Sequence, residues 1–137
     1  MAVRTVLSNE CFDLLFHDDS KIVHHIQKPA INGEQLRVLL SAGTDLLTQN
    51  KGTKWLSDDR GASVAFSEED TNWINNVWLP ATVQVGWKYW ALVVPESVMS
   101  QVDYIKYVES FYDSGIWVTV YSDVESALRW LENVDKR

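Results

Sequence analysis

The stretch Lys88–Val94 constrains the fold more than any other in this chain, because it is almost continuously apolar after Lys88 and stops at Pro95. A strand with one wet face alternates apolar and polar residues, whereas a strand covered on both faces has no reason to. Such a strand needs structure on each side of its sheet, so this run predicts the central strand of a layered α/β domain.

The flanking segments supply the layers. Cys11 to His17 alternates, with Phe12, Leu14 and Phe16 on one face, and Lys21 to Gln27 follows the polar turn Asp18, Asp19, Ser20, which predicts an opening β-hairpin. Asn32, with Gln35 three residues later, opens a helix in which Leu36, Leu39, Leu40, Gly43, Leu46 and Leu47 make one buried stripe up to Gly52. Gly43 inside that stripe costs about 1 kcal/mol against alanine, a cost that makes sense where the helix backbone comes close to the sheet. Thr53 to Ser57 reads as a third strand, and Ser67 with Asp70 caps a second helix that turns Trp73, Ile74, Val77 and Trp78 to one face. Pro80 has no N–H and its ring crowds the preceding turn, so it ends or kinks that helix and leaves Ala81 to Val85 as a short re-angled segment closed by Gly86.

After the central strand, a helix from about Glu96 to Ser114 ends at Gly115, Ile116 to Tyr121 forms a strand, and Ser122 with Glu125 caps a last helix through Val124, Leu128 and Leu131. The expected order is ββαβαβαβα. It makes a mixed, mostly parallel five-stranded sheet with helices packed against it, the hairpin adding one antiparallel pairing at or near an edge.

The 137 residues fit a single domain, and 46% hydrophobic content is enough for a core without disulfides or structural metal. A formal charge of -7 repels phosphate backbones and anionic lipid, which argues against nucleic acid and membrane partners. The start MAVRTVLSNECF lacks a signal-peptide pattern, no run approaches a bilayer span, and a cytoplasmic location is expected. Cys11 is the only cysteine and reads as a small strand hydrophobe. No motif demands a cofactor.

The element order, taken with TKWLSDDR, the loop to SEED, the WxxxxWLP helix, GWKYWALVVP and the final SDVESALRWL, resembles from Cys11 onward a family of small bacterial proteins similar to SpoIIAA. That family carries the STAS-type fold, also grouped with SEC14-like domains, and the resemblance implies non-enzymatic regulatory roles. The STAS anti-sigma-factor antagonists place a phosphorylatable serine after an aspartate in a D-S-S/T-G-like motif at the start of the helix following the third strand. The corresponding residues here are Ser57, Asp58, Asp59, Arg60, Gly61, Ala62 and Ser63, with Ser67 at the helix cap. The aspartate is kept and the serine–glycine pattern is not, leaving Ser63 and Ser67 as candidate phosphoacceptors among several acidic neighbours.

In open α/β sheets ligands bind beyond the carboxyl ends of the strands, which collects Asp58, Asp59, Arg60, Ser63, Ser67, Pro95, Glu96, Ser122 and Asp123 on one rim. Paired aspartates there could hold magnesium with a phosphate ligand and Arg60 could clamp an anion, while the structural reading pairs Asp58 or Asp59 with Arg60. His17, His24 and His25 read as edge-strand histidines, because successive strand side chains point to opposite faces and do not converge on a metal. Trp73 and Trp78 could flank a ligand cleft between the second helix and the sheet, but core packing is the plainer reading for them and for Trp55, Trp90 and Trp117. The third helix has a buried stripe of Val98, Val102, Ile105, Val108 and Tyr112, beside which Tyr104, Tyr107 and Phe111 form a flank suited to a second copy of the chain or another protein.

These readings converge on a non-enzymatic domain that binds a protein partner or small ligand at the rim after the third strand. The alternatives are a serine-phosphorylated anti-sigma-factor antagonist and a metal-assisted phosphohydrolase using Asp58 and Asp59.

Overall fold

A computed structural model describes residues 3–29, 31, 33–61, 67–99 and 102–136, with backbone alone for residues 102–104, 107 and 110. Six strands lie side by side in chain order: β1 Val3–Ser8, β2 Phe12–His17, β3 Ile22–Gln27, β4 Lys54–Asp58, β5 Tyr89–Val93 and β6 Trp117–Tyr121. The pairings β1–β2 and β2–β3 are antiparallel, and β3–β4, β4–β5 and β5–β6 are parallel. The α/β class is as expected, but the sheet has six strands rather than five and two antiparallel pairings rather than one. The unforeseen strand is β1, which is mostly exposed and sends only Val6 toward the core. Its ladder is broken by a bulge between Thr5 and Leu7, so this wet edge strand carries little of the alternation that marks a half-buried one.

The helices are α1 Gly33–Asn50, α2 Glu68–Trp73, a π-helical turn Ile74–Trp78, α3 Leu79–Gln84, α4 Glu96–Met99, α5 Val102–Tyr112 and α6 Val124–Asn133. The three parallel connections step along the sheet in one direction, and right-handed crossovers of that kind leave their helices on one face. The buried side chains agree. Leu36, Leu39 and Leu47 of α1, Ile74, Trp78 and Leu79 of the second connection, and Val108 and Phe111 of α5 share one core with Phe12, Phe16, Trp55 and Trp90. Helix α6 follows the last strand and packs Ala127 and Leu131 on the opposite face, against Ile22, Leu56, Ala91 and Val93. The apolar run of β5 is thus covered on both sides.

Gly43 sits where α1 crosses Trp55. A Cβ there would overlap the indole, with Cζ2 only 2.7 Å away, so the close approach expected from the buried glycine is realised. Asn32, the expected cap of α1, lies outside the described residues. Ser67 caps α2 as expected, its Oγ accepting the Asp70 N–H at 3.1 Å.

Pro80 bends the reading but does not stop the helix. The Leu79 N–H donates to Ile74 O five residues back, so the chain widens into a π turn immediately before Pro80 enters the first turn of α3, where a missing N–H is tolerated. The wide turn also rotates the helix face: Ile74 and Trp78 are buried, while Val77 is 53% exposed. The segment closes at Gly86, with φ 118°, as expected.

Helices α4 and α5 both fall within the expected helix Glu96–Ser114, but the expected stripe is not the buried one. Ile105 and Tyr112 are exposed, and Phe111, assigned to a surface flank, is 1% exposed and packs edge-on to Trp90 with ring centroids 4.7 Å apart. The side chains of Tyr104 and Tyr107 lie outside the described residues. Two smaller corrections concern Trp117, which is 58% exposed on edge strand β6, and the cap of α6, which is Asp123 rather than Ser122, its Oδ2 accepting the Ser126 N–H at 2.8 Å. No helix among the described residues is long and apolar enough to cross a membrane.

Candidate functional site

The parallel register aligns Ile26, Asp58, Val93 and Tyr121 across β3 to β6, so the carboxyl ends of these strands do form one rim. Alternation along β4 then separates the two aspartates. Trp55, Ser57 and Asp59 lean to the α1 side of the sheet, and Leu56 and Asp58 lean to the α6 side.

Asp58 is 4% exposed and forms a two-pronged ion pair with Arg60: Nε donates to Oδ1 and an Nη to Oδ2, both at 2.9 Å. The Arg60 backbone N–H adds a longer bond to Oδ1 at 3.3 Å. Burial pushes the Asp58 carboxyl up, but the Arg60 guanidinium and backbone bond outweigh it and hold the group below the ordinary carboxylate range. Both oxygens of Asp58 are therefore engaged by its near neighbour. This is the structural pairing expected of the loop.

Asp59 has a different partner. Its Oδ1 lies 3.0 Å from His25 Nε2, and His25 Nδ1 accepts the Trp55 indole N–H at 2.9 Å. Because an indole N–H only donates, Nδ1 carries the lone pair and the ring proton sits on Nε2, pointing at Asp59. His25 is thus a positioning group with both nitrogens engaged. It is not an edge histidine: β1 and β2 place β3 inside the sheet, and His24 and His25 are 5% and 4% exposed.

Around Asp59 the α1 face leaves a small cavity of about 30 Å³ lined by His25, Gln27, Ser57, Asp59, Trp78 and Trp90 together with Leu36, Leu40 and Ile74. Its walls are rigid. Trp78 Nε1 donates to Leu40 O and Thr44 Oγ1, Trp90 Nε1 donates to Ser57 Oγ at 2.8 Å, and Trp87 sits between them with ring centroids 5.0 and 5.1 Å away. Gln27 is 3% exposed and its Oε1 has no hydrogen-bond partner, whereas the Asp59 side chain is 27% exposed. The cavity therefore has a closed end at Gln27 and an open end at Asp59. An orphaned buried carbonyl costs about 1–3 kcal/mol, a cost that a donor entering the cavity would relieve.

The remaining rim residues do not join this cavity. Glu96 is exposed in the first turn of α4, and no hydrogen bond or ion pair among the described residues connects it to Asp58, Asp59 or Arg60. Ser67 is exposed and lines a separate shallow hollow with Arg37, Glu69 and Asp70, in which Arg37 lies over the Trp73 ring at 5.6 Å. Ser63 lies outside the described residues. Asp58 and Asp59 face opposite sides of the sheet, and among the described residues no three His, Cys, Asp or Glu side chains converge as metal ligands. A broader hollow, about 650 Å³, lies at the other end of the sheet beside His17, Lys54 and Glu132, and its buried cation Lys54 is already paired with Asp135 at 2.8 Å.

His25, Gln27 and Ser57 are the site residues that sequence reasoning missed. The available signal was polar residues recurring at alternate positions in KIVHHIQ, which would have counted once β3 was known to be interior. No protein-family model, curated protein or solved structure matches this chain.

Proposed function

We propose that this chain is a non-enzymatic domain, of the SpoIIAA-like STAS type, that binds a small ligand at the rim after β4 and works in the cytoplasm as a regulatory module. The observation that carries the reading is the partnerless, buried Gln27 Oε1 at the closed end of a tryptophan-walled cavity whose open end bears Asp59. Pockets of this construction, apolar walls with a few placed polar groups, are those that hold ligands. His25 supports binding over turnover, since its two nitrogens are spent on Trp55 and Asp59 and neither is free to move a substrate proton. The STAS assignment rests on the ββαβαβαβα order from Cys11 onward, to which β1 is an addition at the edge.

The serine-phosphorylated antagonist is less favoured. Ser67 Oγ already caps α2, and a phosphate there would meet Glu68, Glu69 and Asp70 in the same turn. The phosphohydrolase is less favoured because its two carboxylates are committed to different partners on different faces.

Native mass spectrometry of the purified full chain, followed by thermal unfolding against a panel of small polar molecules, tests the reading. The expected result is a retained mass or a ligand-dependent rise in Tm that is lost in Asp59→Asn. A bare spectrum with no shift across the panel would transfer the function to a protein partner.

A further inference from the structure

We propose that the cavity at Asp59 is a receptor for a primary ammonium group, an inference that rests on the ligand-binding reading above and gives its ligand a chemical class. Three of the polar atoms on its lining residues can accept a hydrogen bond. Gln27 Oε1 is buried without a donor, Asp59 presents a carboxylate that receives one hydrogen from His25, and Ser57 Oγ takes the Trp90 N–H and keeps a second lone pair. Asp59 also has charge to share. Arg60, the adjacent guanidinium, is turned to the other face and held by both oxygens of Asp58, and among the described residues the only ion-pair contact of Asp59 is with His25. A group that enters here with N–H donors and positive charge satisfies Gln27 Oε1 and the Asp59 carboxylate together, while an anion would face that carboxylate.

Size narrows the class. A cavity of about 30 Å³ is above what one water needs and admits a small group such as an ammonium with its hydrogens. A quaternary ammonium has no N–H to donate. The gradient from Gln27 at 3% exposure to Asp59 at 27% points the nitrogen inward and any substituent outward past the carboxylate. Trp78 and Trp90 line the walls, and indoles suit a cation because of their negative ring faces. The ligand is therefore ammonium itself or a molecule ending in an unhindered –NH₃⁺.

The test is a titration of the full chain with methylammonium chloride, followed by tryptophan fluorescence and calorimetry in an amine-free buffer. Tetramethylammonium, sodium and acetate at equal ionic strength serve as comparisons. Saturable binding of methylammonium alone is expected, weakened at least roughly tenfold in Asp59→Asn and in Gln27→Leu, of which the first should keep the wild-type unfolding transition and the second should keep or raise it. Equal responses to methylammonium and tetramethylammonium, or preferential binding of acetate, would overturn the assignment without recourse to any variant. So would a native spectrum showing a retained neutral or anionic molecule with no methylammonium response, an outcome that leaves the ligand-binding reading intact. A bare spectrum and no response to any probe would end both.

Discussion

Asp58 and Asp59 are adjacent in the chain, yet the α6 face and the α1 face of the sheet use them in opposite ways. On the α6 side, Asp58 is closed off by Arg60, and Lys54 at the other end of the same strand is closed off by Asp135. On the α1 side, Asp59 is steadied by a neutral donor, His25, and stands over a cavity with one acceptor unpaired. The difference lies in which partners are within reach. A residue two positions along the chain can fold back onto Asp58 whatever the tertiary structure does. Asp59 instead depends on His25 and Trp55, which come from strands β3 and β4 and meet only when those strands pair in the observed register. Local pairing makes a closed surface, and long-range pairing makes an open site.

The largest effect should come from the contact that holds α1 over the open face. Gly43→Leu drives a side chain into the Trp55 indole and should destabilise by more than about 3 kcal/mol in urea unfolding, above the usual cost of overpacking because the neighbour is a buried ring. Equal stability of Gly43→Leu and wild type would break the comparison at its foundation.

Next comes an acid response from the α6 side. His24 faces His17, with which it stacks at 5.3 Å and shares a 3.1 Å hydrogen bond, and it lies near His25, Asp58 and Arg60. Burial, then the neighbouring histidines, push its pKa from 6.5 down to about 4. The unfolded chain takes up this proton below pH 6.5 while the folded chain refuses it until about pH 4, so the unfolded state binds more protons and stability falls as pH falls through that window. The loss should reach roughly 3 kcal/mol near pH 4, with burial depressing His17 in the same direction. Unfolding curves collected from pH 7 downward should show this slope in wild type and a flatter one in His24→Leu; parallel slopes would remove His24 as the cause.

The smallest effect sharpens the contrast between the aspartates. Arg60→Ala leaves the buried Asp58 carboxylate with its backbone bond alone and should cost about 1–2 kcal/mol, a value kept low because Arg60 is half in water. Asp59→Asn still offers His25 an amide oxygen and should change stability by less than about 0.5 kcal/mol. Thermal unfolding of the two variants in one buffer separates them, and the reverse ranking would mean that Asp59, not Asp58, is the structural carboxylate.

Much of the fold was legible because it is written at short range. The buried stripe of α1, the Ser67 cap and the covered run of β5 depend on residues within a turn or two of each other, and each is found where the pattern puts it. Edge strand β1 was not legible, since a strand with almost no buried side chain prints little periodicity. The face of α5 was misjudged, since Ile105 and Tyr112 are exposed and Phe111 is buried, and that of the Trp78 helix shifted where a π turn adds a residue to the repeat.

By itself, then, the amino-acid order determined a layered α/β domain, the Ser67 cap, the close approach of the helix to the sheet at Gly43 and the rim on which charged residues gather. The tertiary structure alone decided that Asp58 and Asp59 part company, that His25 is interior, and that Gln27 Oε1 has no partner. The physical reason is range: helical and strand periodicities act between near neighbours, whereas the partners of a buried polar group are supplied by strands some thirty residues apart, as His25 and Trp55 are, and exist only once the sheet has assembled.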